Sequence, residues 1–86
     1  MEIDQEKVEQ TVLALLYLTS FKDRIGMRTW KGYDWDAMDR LHAKGYISDP
    51  KSKAKSVMVS VKGVKRSRKL FEKHFGKKEP SNERQR

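Results

Sequence analysis

The segment Leu41 to Gly63, reading L-H-A-K-G-Y-I-S-D-P-K-S-K-A-K-S-V-M-V-S-V-K-G, admits few folds, because in a short span it must stop a helix, turn a hairpin and start another helix. Gly45 stands where a left-handed residue ends a helix without a Cβ penalty. Tyr46 and Ile47 open a short strand, and Asp49-Pro50 is a turn signal. Lys51, Lys53 and Lys55 then alternate through a polar tip. After them Val57, Val59 and Val61 repeat with the period of two that marks a half-buried strand.

Three helices flank or contain this segment. The first is expected from Gln5 to Phe21, with Asp4 as its N-cap and Ile3 stapled against Val8. Val8, Val12, Leu15, Leu16 and Thr19 recur at helical spacing, but Leu13, Ala14, Tyr17 and Leu18 make the middle apolar almost all round. Such a helix is either wrapped by its own domain or shared with a second copy, so the chain is a monomer or a homodimer through this helix. Residues 22–33 carry Gly26 and Gly32 and read as a loop, in which Met27 to Trp30 form a short strand that pairs with the hairpin. The second helix starts at the Asp34 cap and ends near Lys44. Its spacing turns Trp35, Met38, Leu41 and His42 inward and Asp36, Asp39, Arg40 and Ala43 outward. Asp36 and Arg40 are four apart, which predicts a solvated ion pair. The third helix runs from Val61 to Phe75, capped by Ser60 and ended at Gly76. Val64, Phe71 and Phe75 define its buried side, Ser67 and Leu70 flank them, and Lys62, Lys65, Arg66, Lys69 and Lys73 fall opposite.

These elements define an α+β class with residues 1–76 as one compact domain, three helices with a small antiparallel β-hairpin, and residues 77–86 as a disordered basic and polar tail. A chain of 86 residues supports one small core. Charge is unevenly placed: residues 1–50 hold seven Lys/Arg and nine Asp/Glu, a net of −2, whereas residues 51–86 hold thirteen and three, a net of +10. A basic half of this kind invites a polyanion. The absence of cysteine excludes disulfides and thiolate metal sites and suits a cytoplasmic setting. The apolar run Val12 to Leu18 is too short to span a bilayer, so no membrane partner is expected. No phosphate-binding loop, H-E-x-x-H motif or paired nucleophile and base is present, so no catalytic residue, metal site or cofactor is assigned and an enzyme is not expected. His42, beside Trp35 and Met38, reads as structural.

The run T-W-K-G-Y-D-W-D-A-M-D-R-L-H-A-K-G-Y-I-S-D-P-K-S-K-A-K-S-V, from Thr29 to Val57, resembles an uncharacterised bacterial family known only as a domain of unknown function. The resemblance reaches back to the Val12 to Leu18 helix and forward to Phe75, and it implies no assigned activity. More loosely, L-x-x-x-G-Y-I followed by V-S-V-K-G is similar to winged-helix regulators of the multiple-antibiotic-resistance and PadR types. By that likeness the fold is winged-helix-like, Lys51, Lys53 and Lys55 match wing-tip positions that contact phosphate, and the second helix is the reading helix. Asp36 and Asp39 suit a groove badly, because acidic side chains there meet phosphate repulsion.

Two functional classes follow. In one, duplex DNA is bound through its backbone by Lys51, Lys53, Lys55, Lys62, Arg66, Lys69 and Lys73, with little base reading. In the other, a protein partner docks on the acidic helix face of Asp36, Asp39 and Arg40, as in an adaptor or small inhibitor, with no nucleic-acid role.

Overall fold

The computed structural model describes residues 1–77, so the tail expected over 77–86 lies, but for Lys77, outside the described residues. The elements run α1 (Gln5–Leu18), β1 (Phe21–Lys22), β2 (Met27–Trp30), α2 (Trp35–Ala43), β3 (Ser56–Val59) and α3 (Val61–Phe75), which is an α+β architecture. The strands form one antiparallel sheet in the order β1-β2-β3.

Local chemistry starts each helix. Asp4 accepts the Lys7 amide at 3.2 Å, Asp34 accepts the Ala37 amide at 3.1 Å, and Ser60 accepts the Gly63 amide at 2.9 Å. Each side chain satisfies a donor that has no partner within its helix. Gly45 closes α2 with φ +80°, a backbone region that side chains with a Cβ enter at a cost.

The end of α1 differs from expectation. The Tyr17 carbonyl is taken by both the amide (3.2 Å) and the hydroxyl (2.8 Å) of Ser20, which turns the chain out of the helix after Leu18. Phe21 is thereby released to pair with Arg28 across β1 and β2. The segment read as a loop over 22–33 is therefore a hairpin plus a short connection. Its turn is held by Asp23, whose carboxylate accepts the amides of Ile25 and Gly26, both at 2.9 Å. Those two donors, Gly26 first, hold the Asp23 carboxyl below the usual aspartate range.

The hairpin expected between α2 and α3 is present in reduced form. β2 pairs along the whole of β3, from Met27 with Val59 to Trp30 with Ser56. On the other side of β3 the chain makes one bridge, Ile47 with Val59, supported by the Ser48 amide on the Met58 carbonyl at 2.9 Å. Residues 50–55 turn back without strand structure.

The core lies between the inner sheet face and the helices, with Leu13, Leu16, Met38, Leu41 and Val57 fully buried. α1 packs most extensively on α3 and also touches α2 and β2, so burial of Val12, Leu13, Ala14 and Leu16 occurs within the chain, while Leu18 at the helix end is exposed. Thr29 is buried too, and its hydroxyl donates to the Leu16 carbonyl at 3.2 Å.

Both later helices are rotated from the faces expected of them. In α2 the buried residues are Ala37, Met38 and Leu41, whereas Trp35 is 62% exposed and His42 is exposed with Nδ1 3.1 Å from the Ile47 carbonyl oxygen. In α3 they are Gly63, Ser67 and Leu70, with Val64 and Phe71 half-buried and Phe75 exposed. The cause is the same in each case: small residues let a neighbour approach closely, and large residues beside them fill the margins. A Cβ built on Gly63 would stand 2.2 Å from the Tyr46 carbonyl oxygen, which shows how closely α3 sits on that segment.

Candidate nucleic-acid interface

α3 carries Lys62, Lys65, Arg66, Arg68, Lys69 and Lys73 against one carboxylate, Glu72. Glu72 accepts from Arg68 Nε at 3.3 Å. Among the described residues the other five cations form no ion pair. Lys62, Lys65, Arg66, Lys69 and Glu72, with Tyr46 and Val61, line an open groove of about 850 Å³. The Lys62 ammonium sits 5.2 Å from the centre of the Tyr46 ring, a cation–π distance.

This stripe works against the helix that bears it. Lys62 lies in the first turn, where the helix dipole disfavours positive charge and no acidic residue offsets it, although Lys73 in the last turn is favoured by the same dipole. Lys62 with Arg66, Lys65 with Lys69 and Lys69 with Lys73 are like-charge pairs four apart, each costing about 0.2–0.5 kcal/mol in an isolated helix.

The seven basic residues expected to act together fall into two groups. Lys62, Arg66 and Lys69 share the α3 groove, with Lys73 one turn further along the helix. Lys51, Lys53 and Lys55 are exposed on the 50–55 loop, which is fastened to the end of β2. There the Lys31 amide donates to the Lys55 carbonyl, and the Lys31 ammonium donates to the carbonyls of Pro50 (2.8 Å) and Ser52. β3 separates the groups, since the loop enters it at Ser56 and α3 leaves it after Val59, a rise of about 10 Å along the strand.

The acidic surface is also rearranged. Arg40 does not pair with Asp36: its Nε donates to Glu9 Oε1 on α1 at 2.8 Å. Glu9 is 2% exposed and takes a second donor, the Lys44 ammonium, which also reaches Glu6 at 2.7 Å. The contact with Glu6, then that with Glu9, holds the Lys44 ammonium above the usual lysine range. The Lys44 hydrogen bond holds the Glu6 carboxyl below the usual glutamate range. Arg40 is thus a clasp between α1 and α2. Asp36 and Asp39 remain exposed, lining with Gln5 and Arg40 a shallow space of about 290 Å³.

Sequence reasoning missed Glu9, Tyr46 and the aromatic residues of the first hairpin. An acidic residue directly after Val8 in a helix apolar on nearly every side was the available signal for Glu9. Among the described residues no three His, Asp or Glu side chains gather as a metal site, and no helix is long and apolar enough to cross a membrane.

Fold and surface together define a small α+β domain with a predominantly basic groove along α3. The chain belongs to the family described as a domain of unknown function, DUF6429, whose model matches residues 4–77. It is similar to the uncharacterized protein y4hR of Sinorhizobium fredii, with 47% identity over 75 residues that cover 87% of this chain and 97% of the relative. No solved structure matches it.

Proposed function

We propose that this domain is a winged-helix-like module that binds duplex DNA through the phosphate backbone, with α3 as the main contact and little reading of base sequence. The observation that carries the proposal is the α3 stripe of five cations without a carboxylate partner among the described residues, on a helix that the stripe itself disfavours. Cations arranged along one helix track a line of phosphates, which supplies affinity but no sequence information. The exposed carboxylates of Asp36 and Asp39 on α2 fit the same reading, because they leave that helix unsuited to entering a groove.

The test is fluorescence anisotropy of labelled duplexes at low salt. Duplexes of different sequence are expected to bind with affinities well within the roughly 10³-fold ratio that marks sequence-specific regulators. Failure of any duplex to bind refutes the proposal.

A second reading rests on Trp35, 62% exposed at the first turn of α2 beside Asp36 and Asp39. Exposed tryptophans are frequent anchors at protein interfaces. A partner retained after nuclease treatment of a lysate, and lost on Trp35→Ala, favours this interaction role over DNA binding.

A further inference from the structure

Side chains alternate across the sheet, so the strand register assigns each to a face. Thr29, Val57 and Val59 point into the core and are buried. On the opposite face Phe21, Arg28 and Met58 form one cross-strand row, and Trp30 with Ser56 forms the next. Phe21 and Trp30 are packed together, their ring centres 5.0 Å apart and their planes tilted by 37°, yet Trp30 remains 54% exposed. Arg28 is held across the sheet by Nε on Ser56 Oγ at 2.8 Å and Nη2 on the Ser56 carbonyl at 2.9 Å.

Positive charge gathers beyond the Trp30 end of the sheet, on the loop that leads into β3. Ser56 is the register partner of Trp30, Lys55 immediately precedes Ser56, and Lys31 clamps the loop that carries Lys51 and Lys53. The acidic groups nearby are engaged: Asp49 accepts the Lys51 amide at 2.9 Å, and Asp23 holds its own turn and lies 3.8 Å from Arg28 Nε.

We propose that this sheet face binds single-stranded nucleic acid, an unpaired base stacking on the Phe21–Trp30 pair while Lys51, Lys53 and Lys55 hold the adjoining phosphates. A base inside a duplex has both faces covered by its neighbours, so only an unpaired base offers a face to an aromatic platform. The aromatic pair supplies stacking and the loop supplies the complementary charge, an arrangement that duplex binding through α3 does not use. The inference therefore goes beyond the function proposed above and shares with it only the polyanion.

The experiment measures anisotropy of a labelled short oligothymidylate, and of a duplex of equal length, against the full chain at low salt. Trp30→Ala is expected to weaken oligothymidylate binding by about 5- to 150-fold, the range for loss of one stacked base, and to leave duplex binding unchanged. Trp30→Phe, which keeps a stacking ring, restores most of the affinity. In a Trp35→Phe background the oligonucleotide quenches the remaining Trp30 fluorescence. Lys53→Ala with Lys55→Ala reduces the salt dependence of oligothymidylate binding. Equal oligothymidylate affinity for wild type and Trp30→Ala overturns the proposal, as does absence of oligothymidylate binding. Self-association abolished by Trp30→Ala without oligonucleotide binding also overturns it, by assigning the face to a second copy. Loss of duplex binding with oligothymidylate binding intact refutes the α3 reading and leaves this one standing.

Discussion

Gly63→Ala is expected to destabilise the domain, although it replaces a helical glycine by the best helix former. Propensity alone favours alanine by about 1 kcal/mol. At this position, however, the new Cβ would stand 2.2 Å from the Tyr46 carbonyl oxygen and 3.0 Å from Val59 Cγ1. A relaxed carbon–oxygen contact is about 3.3 Å, so the start of α3 must retreat by roughly 1 Å. That movement stretches the Ser60 amide bond to the Tyr46 carbonyl, 3.0 Å, and the Ser60 hydroxyl bond to the Gly45 carbonyl, 2.6 Å. Overpacking costs about 1–3 kcal/mol, and each weakened hydrogen bond up to about 1 kcal/mol. After subtraction of the propensity gain, a net loss of about 1–3 kcal/mol remains, which lowers Tm by roughly 5–20 °C in a domain of this size. Urea and thermal unfolding followed by circular dichroism measure it. Gly32→Ala is the control, since a Cβ there meets nothing within 4 Å, and its effect should stay within about 0.5 kcal/mol. A Gly63→Ala protein as stable as wild type, or more stable, refutes the close approach of α3 to the 45–46 segment.

Three further perturbations probe other parts of the structure. Trp35→Ala should change unfolding free energy by no more than about 0.5 kcal/mol, because the side chain is largely in water; a loss of several kcal/mol in a denaturant titration contradicts its placement. A double-mutant cycle on Glu9→Gln and Arg40→Gln should return a coupling of about 1–3 kcal/mol, as expected for charged groups in direct contact, whereas additive effects mean that the clasp between α1 and α2 does not form. The depressed Glu6 carboxyl contributes stability that is fully present above its unfolded value, about 4.3, and is lost as pH falls through the lower folded value. Glu6→Gln should accordingly flatten the acid limb of the stability profile relative to wild type, and an unchanged limb counts against the Glu6–Lys44 contact.

Features set by neighbouring residues were legible in the sequence. Asp4, Asp34, Ser60 and Gly45 each act within a few positions, so three helix starts and one helix stop follow from local chemistry. The strand over Met27 to Trp30 was visible for the same reason. Helix faces were less legible because periodicity was read from the largest apolar residues. The closest contacts run instead along Ala37 in α2 and along Gly63 and Ser67 in α3, and small residues carry little hydrophobic signal. Trp35 and Phe75 were placed in the core by that emphasis and are exposed. The Arg40 partner was hidden by distance, since Asp36 is one turn away in sequence and Glu9 is thirty-one positions away. The first hairpin escaped because β1 has two residues, too few to show alternation. The outer sheet face is hidden in the sequence for the same reason, since only the register of β1, β2 and β3 brings Phe21, Arg28 and Trp30 together. The α3 stripe was legible because it lies on one continuous helix, whereas its separation from the loop lysines depends on the course of β3.

The most direct test of the account is the salt dependence of duplex binding by wild type and by a variant with Lys62, Arg66, Lys69 and Lys73 replaced by glutamine. Each phosphate contact contributes about 0.9 to the slope of log K against log salt. A steep wild-type slope is expected, reduced in the variant by about 0.9 for each of these residues that meets a phosphate, with the circular dichroism spectrum unchanged. Identical slopes for the two proteins contradict the assignment of α3 as the nucleic-acid interface.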